Sequence, residues 1–80
     1  MIEIRQTETY SEWFSALRDH QAKARINIRI RRLSMGNPGD VKPVGRGVSE
    51  LLVDYGPGYR VYFKQQGETL DLLHKSENKR

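Results

Sequence analysis

Residues 22–34, AKARINIRIRRLS, decide the fold of this chain, because their apolar side chains obey two periods at once. Ile26, Ile28 and Ile30 alternate as they would along a strand. Ala22, Ile26, Ile30 and Leu33 recur at the three- and four-residue steps that place them on one side of a helix. The helical reading is preferred: the run exceeds an ordinary strand, opens on Ala and Lys, and ends at Gly36-Asn37-Pro38, a combination that terminates helices. On such a helix Arg25, Arg29 and Arg32 form a narrow stripe beside the apolar side, while Arg31 points elsewhere. That stripe is either a solvated helix side or a contact surface for RNA or a protein partner.

Toward the N-terminus, Thr9-Tyr10-Ser11-Glu12 fits a capping box, in which hydroxyl and carboxylate satisfy the unpaired amides of a helix start. The first helix is expected to begin there, with Trp13, Phe14 and Leu17 on its apolar side and Trp13 in the core. Asp19-His20-Gln21 is the expected polar break before the second helix. Ahead of both, Ile2 and Ile4 alternate with Glu3 and Arg5, as in a short first strand.

Toward the C-terminus, residues 36–47 hold four glycines and two prolines, which predicts an extended loop carrying Asp40, Lys42 and Arg46. Strands are expected from Val48 to Tyr55, Tyr59 to Gln65 and Thr69 to His74, joined at Gly56-Pro57-Gly58 and Gln66-Gly67. They form an antiparallel three-stranded meander. Helices grouped before strands argue for one α+β domain over residues 1–80, with both helices packed on one sheet face. In the central strand Tyr59, Val61 and Phe63 face the core, so Arg60, Tyr62 and Lys64 face outward. That outer face offers charge for phosphate and a ring for base stacking.

Eighty residues with 36% hydrophobic content supply one small core. Without cysteine there is no disulfide and no thiolate metal site, and His20 and His74 lie too far apart in sequence for a local ligand pair, so neither a metal nor another cofactor is expected. No apolar run approaches the roughly 20 residues that cross a bilayer, and MIEIRQTETY lacks the apolar segment of a signal peptide, so the expected location is the cytoplasm. A net charge of +4 suits a polyanionic partner.

The ordered combination of AKARI, GDVKPVG, a Ser49-Glu50-Leu51 strand and GPGYRVYF resembles the HigB-like addiction-module killer proteins of the RelE/ParE toxin superfamily. The resemblance runs from about Tyr10 to Leu73 and implies a RelE-like fold. It also implies a bacterial type II toxin that cleaves mRNA on the ribosome and is restrained by a cognate helix-turn-helix, HigA-like antitoxin. In two places the chain departs from that pattern: Leu52 stands where an arginine is common, and HKSENKR follows Leu72-Leu73 where a glycine-rich turn and a final helix are usual. The C-terminal segment is thus short relative to the family.

Superfamily cleavage uses the 2′-hydroxyl beside the scissile phosphate, so the protein must help remove its proton, stabilise the crowded phosphate and protonate the leaving 5′-oxygen. Arg60 matches a position the superfamily uses on phosphate, and a guanidinium grips two phosphate oxygens. The alternative role is an ion pair with Glu50 or Asp54. Lys42 would neutralise phosphate, or act as base if Arg46 and burial lowered its pKa. Glu50 would accept the nucleophile's proton or form a salt bridge with Arg60 or Lys64. Tyr62 would stack on a base or donate a proton, and His74 would serve acid–base chemistry with Lys75 beside it on phosphate. Arg46, Lys64, Arg25, Arg29 and Arg32 complete the RNA-binding candidates. Tyr55 and Tyr59 read as half-buried sheet supports, and Asp40 as a turn former. A gyrase-poisoning toxin, or an inactive homologue that binds only antitoxin, is the rival reading.

Overall fold

The computed structural model describes residues 2–73. Its elements run β1 (Glu3–Gln6), α1 (Glu8–Ala16), α2 (His20–Ser34), β2 (Val41–Gly45), β3 (Val48–Val53), β4 (Tyr59–Gln66) and β5 (Thr69–Leu73). The class is α+β, with two helices and a five-stranded mixed sheet in the order β1-β5-β4-β3-β2. Among the described residues no helix is long and apolar enough to cross a membrane.

The second helix takes the helical period. Ala22, Ile26, Ile30 and Leu33 are buried, whereas Ile28, which strand alternation would have needed inside, is 48% exposed. Asp19 caps this helix, accepting from the amides of Gln21 and Ala22 at 3.0 and 3.2 Å. His20 is therefore already helical, and the break lies just before it. At the other end the Gly36 amide donates to the Leu33 carbonyl and the Asn37 amide to the Arg32 carbonyl, at 3.1 and 2.8 Å. This doubly bonded stop requires the left-handed backbone that Gly36 adopts at φ 90°.

The first helix starts two residues earlier than the Thr9 box predicts. Thr7 is its cap: the Tyr10 amide donates to the Thr7 hydroxyl oxygen at 3.3 Å, while that hydroxyl donates to the Leu72 carbonyl at 2.8 Å. The local motif at Thr9 loses because Thr7 is also held by β5, a contact with no local signature.

The sheet corrects the three-stranded expectation at both edges. β1 pairs in parallel with β5. Residues 36–47 are not all loop, since Val41–Gly45 pairs antiparallel with β3, with a register shift between Pro43 and Gly45. The Leu52 amide donates to the Asp40 carbonyl at 3.0 Å. Counting along that ladder by twos puts position 43 where an amide would face solvent, so proline costs this edge strand no ladder bond. Gly45, Arg46 and Gly47, all at positive φ, then turn the chain into β3.

One sheet face is covered. Leu51, Val53, Val61, Phe63, Leu70 and Leu72 are buried with Tyr10, Ile26, Ile30 and Leu33 from the helices, and Trp13, Phe14 and Leu17 pack partly buried against them. Register places Glu50, Tyr62 and Arg60 on the opposite face, called the helix-free face below because no helix among the described residues covers it.

Tyr10 gives this core a pH limit. Burial pushes its phenol up to about 12 from the ordinary 10.0, and its hydroxyl has no hydrogen-bond partner among the described residues. Only the folded state raises this pKa, so the stabilisation is complete below the unfolded value near 10.0 and declines as pH climbs toward about 12. The loss in that window should approach about 1.4 kcal/mol per pH unit. Denaturant midpoints measured from pH 9 upward should fall more steeply for the parent than for Tyr10→Phe.

Candidate functional site

On the helix-free face the register builds a row across four strands: Lys42 of β2, Glu50 of β3, Tyr62 of β4 and Leu73 of β5. Arg60 lies in the next row, opposite Leu52. Alternation along β4, already legible in the sequence, turns Arg60 and Tyr62 to this side, and the pairing of β3 with β4 brings Glu50 to the same side. Pairing then sets which of them touch.

Glu50 is the hub. The Tyr62 phenol donates to Glu50 Oε2 at 3.0 Å, and Arg60 Nη1 lies 3.6 Å from the same oxygen. The Glu50 side chain is 7% exposed and that of Arg60 is 64% exposed. A carboxylate withdrawn from water needs such partners, and it has a phenol and a guanidinium. The guanidinium itself stays open to a ligand. Burial, then the hydrogen bond and charge of Glu50, hold the Tyr62 phenol above its ordinary ionisation range, with Arg60 opposing them. At neutral pH Tyr62 is therefore a proton donor, held against the Glu50 carboxyl. An acceptor, a donor and an exposed cation within one cluster can bind an anion and move a proton at an adjacent hydroxyl.

The other expected residues divide. Lys42, exposed, faces Glu50 across the β2–β3 ladder, and half-buried Lys64 follows Tyr62 two residues along β4 on the same face. Arg46 is exposed in the β2–β3 turn at φ 59°. His74 and Lys75 lie outside the described residues.

Arg25, Arg29 and Arg32 do not join this face, because α2 packs on the other side of the sheet. Arg29 is engaged within the fold: its Nη1 donates to the Leu52 carbonyl at 2.6 Å and its Nη2 to the Pro38 carbonyl at 3.3 Å. It straps α2 to β3 and to the β2 approach, with so little room that a Cβ on Gly39 would come within 3.0 Å of Nη2. Arg25 lies over the Tyr55 ring, 4.8 Å from its centroid. Arg29→Ala should lower stability by about 1.5–3 kcal/mol, the usual worth of charged-donor hydrogen bonds. Arg32→Ala, at an exposed helix position, should change it by less than about 0.5 kcal/mol in the same denaturant titration.

Sequence reasoning gave Asp40 no chemistry, yet Asp40 and Asp54 line one hollow with Tyr59 and Arg60. Glycine and proline around Asp40 signalled only a turn, and the pairing that carries it to β3 is non-local. Of the two roles open to Arg60, the ion pair with Glu50 is formed, and the side chain remains accessible as well.

An uncharacterized protein of Haemophilus influenzae is 50% identical to this chain over 72 residues, 90% of this chain and 73% of that protein. The chain belongs to the family of that Haemophilus protein. A match of that extent takes in both the second helix and the strands that carry Glu50, Arg60 and Tyr62. No protein-family model matches the chain. No solved structure matches it either.

Proposed function

We propose that this chain is a type II toxin with a RelE-like fold, a ribosome-dependent mRNA endonuclease that inhibits translation from the bacterial cytoplasm and is held inactive by a HigA-like antitoxin. One observation carries the reading: a buried carboxylate, a phenol and an exposed guanidinium share one oxygen on the helix-free face. The likeness of GDVKPVG and GPGYRVYF to the killer proteins, and the net charge of +4, support it from the sequence.

In this reading the message lies across β2–β4 with its phosphate on Arg60, whose guanidinium turns from Glu50 to two non-bridging oxygens. Glu50 then accepts the 2′-hydroxyl proton as the 2′-oxygen bonds to phosphorus. The bond from phosphorus to the 5′-oxygen breaks, and that oxygen takes the Tyr62 proton. A cyclic 2′,3′-phosphate and a 5′-hydroxyl result. Lys42 neutralises charge on the pentacoordinate phosphate, and Arg46 and Lys64 extend the cationic surface along the strand. No metal is required by this route.

A rival reading, a toxin or homologue that binds antitoxin without cutting RNA, is favoured by one feature: Arg60 and Tyr62 are each already engaged by Glu50. Induction of the chain without antitoxin, followed by mapping of message 5′-ends, separates the two. Breaks at translated codons are the expected result. Arrested growth with intact messages would remove the nuclease reading and leave the rival.

A further inference from the structure

The two edges of the sheet are treated differently. β2 carries a proline and a register shift, features that discourage pairing with another strand. β1 has neither. The Glu3 amide donates to the Glu68 carbonyl and the Thr7 amide to the Leu72 carbonyl, so odd positions serve β5 and the N–H and C=O of Ile4 point away from the sheet. Beside that edge, which no strand covers among the described residues, runs a mixed groove whose apolar wall includes Ile2, Ile4, Ile28 and Met35 and whose polar wall includes Asn27 and Arg31. Ile4 is 38%, Ile28 48% and Met35 69% exposed. A strand added next to β1 would cover this groove and satisfy the Ile4 backbone in one step.

We propose that the occupant is a second copy of this chain, joined antiparallel through β1 about a two-fold axis at Ile4. The segment Glu3-Ile4-Arg5 is self-complementary in that register. Ile4 pairs with Ile4 of the other copy and exchanges both backbone hydrogen bonds, at a Cα separation of about 5.5 Å. Glu3 then stands opposite Arg5 of the other copy, and Arg5 opposite its Glu3, in the closer pairs of about 4.5 Å. Within one copy Arg5 already pairs with Asp71 at 3.2 Å, and Asp71 stands opposite Lys64. The dimer thus extends an alternating row of Lys64, Asp71, Arg5 and the second copy's Glu3. On the other side of the sheet the exposed Ile4, Ile28 and Met35 of the two copies meet. The contact is isologous, closes after two copies, and joins the two described five-stranded sheets into one with the described helices of both copies on the same side. The same dimer forms whether or not the chain cuts RNA.

Sedimentation velocity on the full chain over a hundredfold concentration range tests the interface. The parent should pass from monomer to dimer. Glu3→Arg, an exposed change that sets guanidinium groups against each other across the interface, should weaken the dimer at least tenfold. Ile4→Pro deletes the outward amide, which no strand among the described residues uses, and should give monomer with the far-UV dichroism of the parent. A parent that stays monomeric throughout overturns the proposal, and so does a dimer indifferent to Glu3→Arg.

Discussion

Arg60→Ala is expected to reduce message cutting by about a hundredfold to a thousandfold, the usual loss when one charge-stabilising donor is removed from a reacting centre. Stability should fall by less than about 1 kcal/mol, because an ion pair with one partner this exposed is worth little. The asymmetry is diagnostic. Glu50 keeps its hydrogen bond from Tyr62 at 3.0 Å, so the sheet face stays ordered while the phosphate contact proposed for Arg60 is lost. Arg60→Lys should recover only part of the activity, since an ammonium keeps the charge and loses the two-pronged grip. Cleavage of a translated message and a denaturant titration, run on the same preparations, check both halves. Full cutting by Arg60→Ala would remove Arg60 from the mechanism, and a large stability loss would return it to a structural role.

Leu51→Ala should produce the largest loss of stability. Leu51 is fully buried at the middle of β3, opposite Val61 and in the core cluster with α2. Truncation leaves a cavity that a sheet fixed on both sides by neighbouring strands cannot collapse to fill, at a cost of about 2–5 kcal/mol. A chain of this size has about 4–12 kcal/mol in total. At about 4–8 °C per kcal/mol, the thermal midpoint should drop by about 10 °C or more, which calorimetry reads directly. Leu52→Ala is the internal control: it is the next residue, half-buried on the helix-free face, and should cost markedly less. Equal losses at the two positions would mean that the helix layer does not cover the face assigned to it.

The inward and outward residues of β4 were legible without coordinates, because alternation along a strand is a property of the backbone, whereas Leu51 and Leu52, both apolar, were told apart only by the pairing of β3 with β4. The helical period of residues 22–34 was legible for the same reason: burying Ile26, Ile30 and Leu33 together satisfies a helix and leaves Ile28 outside. What failed did so where a distant partner outweighed a local preference. Thr9 carries the better local capping motif, but Thr7 is bonded to Leu72 and starts the helix. Residues 41–45 have the composition of a loop, but β3 offers them a ladder whose position 43 needs no amide. Arg29 stands in a stripe with Arg25 and Arg32, yet the Leu52 and Pro38 carbonyls take its guanidinium.

By itself, the sequence determined the α+β class, the helical state of residues 22–34 and the outward direction of Arg60, Tyr62 and Lys64. Each follows from a period that a residue imposes on its near neighbours. Only the tertiary structure decided that Glu50 would be buried and shared between Tyr62 and Arg60, that β1 and β2 would become the sheet's two edges, and that Arg29 would be a strap. Those outcomes depend on pairing register between segments far apart in the chain, where a shift of one residue turns every side chain to the other face.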